Sequence, residues 1–436
     1  MDKLKQAALA AIDANREKII AIGKHIFQNP ELGYKEHKTS AYVREQFDAL
    51  GLSYTAGHGV TGVKARAKGT ESRATVCVMG ELDAVVCPTH PDADVQTGAA
   101  HVCGHNAQIA SMLGAAMGLL PVMRELCGDV VFFAVPAEEF VEIEYRESLQ
   151  NRGEIAYLGG KQQLIAEGAF DDVDMAMMVH SMSGHDKKVL VPQGGLGFIG
   201  KTVRFKGRAA HAAMPHEGVN ALNAAMASLM CIHSLRESFR DEDHVRVHPI
   251  LTKGGDLVNV VPADVRMETY VRANNTEAMR AANVAVTRAI QGSAYAVGAE
   301  VDVKDFKGYV PLNQNAALAE VFEGNASSLL GTEAILPPSP FFGSTDVGDL
   351  GTIMPVLQPT VSGFSGAAHS EEFVVDDEEW AYIVPAKLMA MTVIDLLANG
   401  AEKALHIKQT YPRGTKESYA KMWADILLES VKDQLL

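Results

Sequence analysis

The 436-residue chain exceeds the usual size of a single hydrophobic core, so two domains are expected, each able to bury a core without disulfide or metal staples. With 47% hydrophobic and 21% charged residues, the composition is that of a globular protein and excludes a disordered or fibrous one. The formal net charge of −15 argues against nucleic acid or an anionic membrane as main partner, because both call for a basic field, and favours a small-molecule substrate.

The first residues, Met1-Asp2-Lys3-Leu4-Lys5-Gln6, lead into a polar, helix-like stretch and lack the apolar run and small-residue cleavage site of an export signal. The five cysteines, Cys77, Cys87, Cys103, Cys127 and Cys231, are odd in number and lack the spacing of a disulfide framework, so a reducing, cytoplasmic setting is expected. An amphipathic helix is predicted to about Phe27, a break at 29–33 (Asn-Pro-Glu-Leu-Gly), and a second helix over 36–50. Continuous apolar runs at 74–80 and Asp129–Val135 read as strands covered on both faces, with a buried helix over 109–122 between them. That window and another at Val384–Leu397 fall short of the about 20 apolar residues that span a bilayer. A further apolar run, 174–179, ends at His180. The β–α–β order predicts an α/β core with helices over a central sheet.

After Gly194-Gly195 the character changes. Residues 202–207 and 265–271 alternate like half-exposed strands, 218–235 and 276–297 read as helices, and 300–306 as another strand. A small α+β domain is therefore expected at 195–308, inserted into a core formed by 1–194 and 309–436. Helices at Ala316–Leu330 and 382–397 and a polar, helical tail complete the chain.

Chemistry concentrates at loops and strand ends. Cys103-Gly104-His105 puts a potential thiolate and an imidazole two residues apart, with a glycine that lets them converge. Such a pair alone also fits a buried cysteine beside a surface histidine. Pro136-Ala137-Glu138-Glu139 follows an apolar strand directly, where α/β proteins bind ligands, so one carboxylate can bind a metal while its neighbour moves a proton. Alone, with Glu142 and Glu144 nearby, it also fits a solvated acidic turn. His180 after its short strand, Glu81-Leu82-Asp83 after another, and His369 in a small-residue loop share the placement. Together they supply enough ligands for two divalent ions.

The order C-G-H, P-x-E-E, strand-final His and G-x-x-H resembles the co-catalytic metallopeptidases and amidohydrolases, a family that includes hippurate, auxin-conjugate, aminobenzoyl-glutamate and N-acyl-amino-acid hydrolases. The likeness spans nearly the whole chain. It includes the P-E-L motif at 30–32, the segment from Gly207 to Ala221 that resembles the family's lid motif, and the turn Gly343-Ser344-Thr345-Asp346. The resemblance implies a metallopeptidase-like α/β/α catalytic domain with an inserted α+β lid and dimerisation domain. It implies Cys103, His105, Glu139, His180 and His369 as ligands of up to two divalent ions, manganese or zinc, with cobalt and nickel as further candidates. Glu138 matches the general base that takes a proton from the attacking water and returns it to the leaving nitrogen, and Asp83 the carboxylate that orients a ligating histidine. His211 matches a lid histidine that stabilises the developing oxyanion across a dimer, and Asn259 and Arg272 match positions that hold a substrate carboxylate. A homodimer or higher homo-oligomer through the inserted domain is thus expected.

Two departures bear on the substrate: Asn106 follows C-G-H where many relatives carry Asp, and bulky Phe140 to Arg146 follow P-A-E-E where relatives are glycine-rich. The expected reaction is hydrolysis of a C–N bond other than a peptide bond, the amide of a small N-acyl or N-aroyl amino acid. Hydrolytic deamination of an aromatic amine on the same site, or a non-catalytic binding protein on the same fold, are the alternatives. Retention of Glu138 beside every proposed ligand weighs against a pure binder.

Overall fold

In the computed structural model, which describes residues 2–433, the chain divides into two compact units. One comprises residues up to 193, 313–340 and 349–416, the other 194–312, 341–348 and the residues from 417 on.

The first unit is built on a six-stranded sheet in the order Tyr54–His58, Gly62–Ala67, Asp129–Val135, Thr75–Glu81, Met175–Met177, Val356–Leu357. The last four run parallel and the first two join antiparallel. Every residue of Thr75–Glu81 and Asp129–Val135 is buried, as their unbroken apolar sequences require of strands covered on both faces. The helix His105–Leu119 is buried along its whole length against Thr75–Glu81 and the helices Lys3–Ala14, Arg16–Phe27 and Val384–Leu397. Two helical stretches, His105–Glu125 and Glu379–Leu397, are long and apolar enough to cross a membrane, but 89% of each apolar window is buried inside the protein, which makes them core helices.

Two elements differ from expectation. The N-terminal helix is two, Lys3–Ala14 and Arg16–Phe27, because Asn15 leaves helical geometry (φ −103°, ψ 9°) while its side chain donates to the Ala11 carbonyl at 2.8 Å. His180 does not end the strand before it. The chain leaves the large sheet after Met177, and His180 opens a new strand, His180–Ser183, parallel to Thr360–Ser365 in a second sheet.

The second unit carries an antiparallel sheet in the order Arg246–Val247, Asp264–Ala273, Gly197–Lys206, Glu300–Lys307, with Ile250–Lys253 also paired to Asp264–Ala273. Val203, Phe205, Val265, Met267 and Val271 form one apolar core with Ala224, Val286 and Ile290 of the helices Ala221–Ser234 and Thr276–Ala296. Arg246–Val247 and Ile250–Lys253 were too short to carry an alternation signal. Beside the expected 195–308, this unit takes in 194, 309–312, 341–348 and the C-terminal helix Lys416–Asp433 from Glu417 on. That helix reads as polar in sequence, yet Tyr419, Trp423 and Ile426, spaced as one helical stripe, are buried.

Candidate metal centre

The first unit brings seven of the expected residues together. Gly104 adopts φ 85°, a conformation open to glycine, and a Cβ there would collide with Ser181. The turn it makes sets Cys103 just before the helix His105–Leu119 and His105 on its first residue. Cys103 Sγ lies 3.4 Å from His180 Nε2, and the Ser181 hydroxyl donates to the Cys103 carbonyl at 2.7 Å, tying strand to loop. From the other side, His369 is held by its N–H on the Val102 carbonyl (2.8 Å), with Nε2 3.2 Å from Glu139 Oε1.

His105 is the deepest member. Its Nδ1 lies 2.9 Å from the Asp83 carbonyl oxygen and 3.2 Å from Asp83 Oδ1, so Nε2 faces the cluster, 3.0 Å from Glu81 Oε2 and 4.0 Å from Glu138 Oε2. Asp83 also accepts the Glu139 N–H at 2.8 Å. One carboxylate thus sets both a histidine ring and the backbone beside the paired glutamates.

The donor atoms form two triads that share Cys103: Cys103, His105 and His180, and Cys103, Glu139 and His369, with a third grouping of Glu81, His105 and Glu138 alongside; atoms within each lie within 4.8 Å of one another. The chemistry of this set fits divalent ions. Nε2 of His105 and Oε1 of Glu139 are buried without a well-formed hydrogen bond. Burial and Glu139 push the Cys103 thiol up, but the imidazoles of His180 and His105 outweigh them and bring it down to about 6. Burial pushes the Glu139 carboxyl up too, and the imidazole of His369 beside it brings it to about 2. The closeness of Cys103 and Glu139 holds the His369 imidazole up at about 11. Burial works against charge on His105 and His180, yet Glu81 and Cys103 raise the first well above its usual value, and Cys103 raises the second. The pocket's anions therefore hold protons on imidazoles where a cation would serve better.

The other three expected residues lie in the second unit. His211 and Asn259 are neighbours there: His211 bridges Val260, and the Ala212 N–H donates to the Asn259 carbonyl at 3.0 Å. Both are exposed. Arg272 lies apart from them on Asp264–Ala273, its guanidinium 5.8 Å from the Phe198 ring and 5.6 Å from that of Tyr270. The side-chain amide at the Asn106 departure is engaged on the helix side, donating to the Gly23 carbonyl (3.2 Å) and the Tyr382 hydroxyl (3.3 Å).

The buried partners Lys161 and Glu36 escaped the sequence reading. Glu81 accepts from Lys161 and, at 2.7 Å, from Gln108, all three side chains being sealed from solvent. Glu36 accepts from the Ala137 N–H (2.8 Å) and the Thr61 hydroxyl (2.7 Å), and burial together with Asp83 raises its carboxyl to about 7. The motif at 29–33 is the platform under these loops: Leu32 bridges Ala84, and the Ala84 N–H donates to the Glu31 carbonyl at 2.8 Å.

The sequence matches the model of peptidase family M20/M25/M40 over residues 77–392. The chain is 27% identical over 426 residues to the Xaa-Arg dipeptidase of Mus musculus, covering 91% of this chain and 90% of that protein. It is 26% identical over 410 residues to the IAA-amino acid hydrolase ILR1-like 4 of Arabidopsis thaliana, covering 88% of each. Among solved structures it resembles a Bacillus subtilis protein described as a dinuclear metal-binding peptidase from the M20 family, with a TM-score of 0.67 at 22% identity, covering 88% of this chain and 99% of that one.

Proposed function

The chain belongs to peptidase family M20/M25/M40, a family of hydrolases, and on that footing we propose that it cleaves the amide C–N bond of a small N-acyl or N-aroyl amino acid. The observation that carries this reading is the pair of donor triads meeting at Cys103, with the Glu138 carboxylate beside them. In this reading Cys103, His105 and His180 hold one divalent ion and Cys103, Glu139 and His369 the other; manganese and zinc suit the set, as do cobalt and nickel. Such ions, when bound, supply Lewis acidity to the scissile carbonyl and acidify the attacking water.

The chain's own groups do the rest. Asp83 holds the Nδ1 side of His105 and leaves Nε2 as its donor atom. Glu138 accepts the proton of the attacking water and delivers it to the departing nitrogen, which requires a carboxylate free of direct ligation. In this reading His211 steadies the developing oxyanion across a dimer, and Asn259 and Arg272, which lie apart, are each a candidate group for the substrate's carboxylate. Of the named relatives, the IAA-amino acid hydrolase supports this substrate class, while the other is a dipeptidase and makes the peptide bond the competing substrate.

The same reading includes a homodimer through the second unit. Among the described residues Ile250–Lys253 is paired to Asp264–Ala273 alone, and Ile250 and Leu251 on it, with Met226 and Met230 on the helix Ala221–Ser234, are exposed. Pairing of such an edge with its own copy would cover both features. Sedimentation of the active enzyme as a monomer would remove the dimer.

The test is a panel of N-acyl amino acids, dipeptides and arylamines, offered to protein reconstituted with manganese or with zinc. Release of free amino acid from the N-acyl compounds in preference to the dipeptides is the expected result. Ammonia from an arylamine without any amino acid released would replace amide hydrolysis by deamination, and preference for dipeptides would make the enzyme a peptidase.

A further inference from the structure

Arg146, on the helix Ile143–Asn151, has no solvent exposure at all. Its Nη1 donates to the carbonyl oxygens of Leu158 (2.7 Å) and Ala137 (3.4 Å), and its Nη2 to that of Glu139. The rings of Tyr34 and Phe140 lie 5.3 and 6.0 Å from its guanidinium carbon. Among the described residues no carboxylate forms an ion pair with it. A buried cation answered only by carbonyl dipoles and ring faces adds little stability over an apolar side chain of the same size, so stability does not account for it.

What the guanidinium grips is informative. Two of its three carbonyls belong to Ala137 and Glu139, the residues on either side of Glu138. Ala137 has φ 52°, the left-handed region that an alanine adopts only where its surroundings over-determine it. The N–H groups of the same two residues are taken by carboxylates, Ala137 by Glu36 and Glu139 by Asp83, each at 2.8 Å. The peptide units around Glu138 are thus fixed on one edge by anions and on the other by a forked cation. Gly33 leaves the room for that fork, since a Cβ there would strike the Arg146 guanidinium and the Ala137 backbone.

We propose that Arg146 is a positioning residue, whose fork holds the Ala137 and Glu139 carbonyls so that Glu138 is presented to the attacking water while Glu139 is turned to the ion shared with Cys103 and His369. The inference rests on the two-ion reading above. Lysine reproduces the fork only in part, because a single ammonium does not span two carbonyls in fixed geometry.

The test is titration of Co2+ into the metal-free full-length chain, as wild type, Arg146→Met, Arg146→Lys and Leu149→Ala. It follows stoichiometry, affinity, the thiolate-to-cobalt absorption from Cys103, and thermal melting. Leu149, buried on the same helix, serves to loosen that helix without touching the carbonyls. Expected are two Co2+ in wild type, a second Co2+ weakened by about 10- to 100-fold with an altered spectrum in Arg146→Met, and partial recovery in Arg146→Lys. Leu149→Ala should melt earlier yet bind Co2+ as wild type does. Wild-type affinity and spectrum in the Arg146 variants overturn the inference while leaving the two-ion reading intact, as does an equal loss of Co2+ in Leu149→Ala. Should Arg146→Met fail to fold, Arg146→Lys decides the matter, a wild-type spectrum there being the overturning result. A wild type that takes up no Co2+ removes the two-ion reading and this inference together.

Discussion

The two donor triads share a sulfur but are built differently. On one side His105 is sealed from solvent, begins a wholly buried helix, and has one ring nitrogen held by Asp83. On the other, His369 is 49% exposed, sits at φ 64° in a loop, and is tied to the core by one backbone hydrogen bond to Val102. The first half is held in place by packing before any ion arrives. The second depends more on the closeness of His369 to the Glu139 carboxylate, 3.2 Å away, which is also a group an ion would engage.

The largest expected effect strikes both halves together. Cys103→Ala removes the shared donor, and elemental analysis of the dialysed protein should show the bound ions falling from two towards none. Retention of both would falsify the bridging role. Next, Glu138→Gln leaves both triads whole, so metal content should persist while turnover drops by at least about 100-fold. Near-normal turnover would take the base role away from Glu138.

A sharper comparison comes from cutting one half at a time. His369→Ala should release one ion and leave the Cys103, His105, His180 ion in place, whereas His105→Ala should disturb the inner half and the Glu81 and Asp83 contacts with it. Loss of both ions from His369→Ala would show that the halves do not fill independently. Acidity offers a gentler probe. At pH 7 the metal-free Cys103, at about 6, is mostly thiolate while His369, at about 11, carries a proton, so filling the outer half expels that proton. Calorimetry in two buffers of different ionisation enthalpy should register at least about one proton released per outer ion, and affinity should weaken as the pH is lowered. Binding without buffer dependence would contradict this.

The smallest effect concerns the platform beneath both halves. Glu36 is raised from 4.5 to about 7, chiefly by burial, so the folded metal-free chain binds its proton more tightly than the unfolded one. The stability it contributes is present below about pH 4.5 and lost as the pH rises through about 7. Glu36→Gln keeps the acceptor for the Ala137 N–H and should flatten that decline in melting temperature between about pH 5 and pH 8. An unchanged slope would assign the decline to other groups.

The sequence by itself determined the sheet's central strands and the buried helix between them, and it offered the triad residues as candidates whose roles the family resemblance implied. Apolar runs, helical period and the C-G-H and P-A-E-E spacings are local properties, and they survive in any context that folds. Only the tertiary structure decided which charges became part of the centre. Lys161 in Gly160–Ala166 and Arg146 in Ile-Glu-Tyr-Arg-Glu look like solvated helix residues, and Glu36 like an ordinary helix start, yet all three are buried. The same holds for the C-terminal helix and for His180, whose strand is defined by a partner, Thr360–Ser365, far along the chain. Whether a charge is solvated or sealed depends on what packs over it, and those neighbours, Glu81 for Lys161 or Ala137 and Gly33 for Arg146, come from segments that only folding brings together.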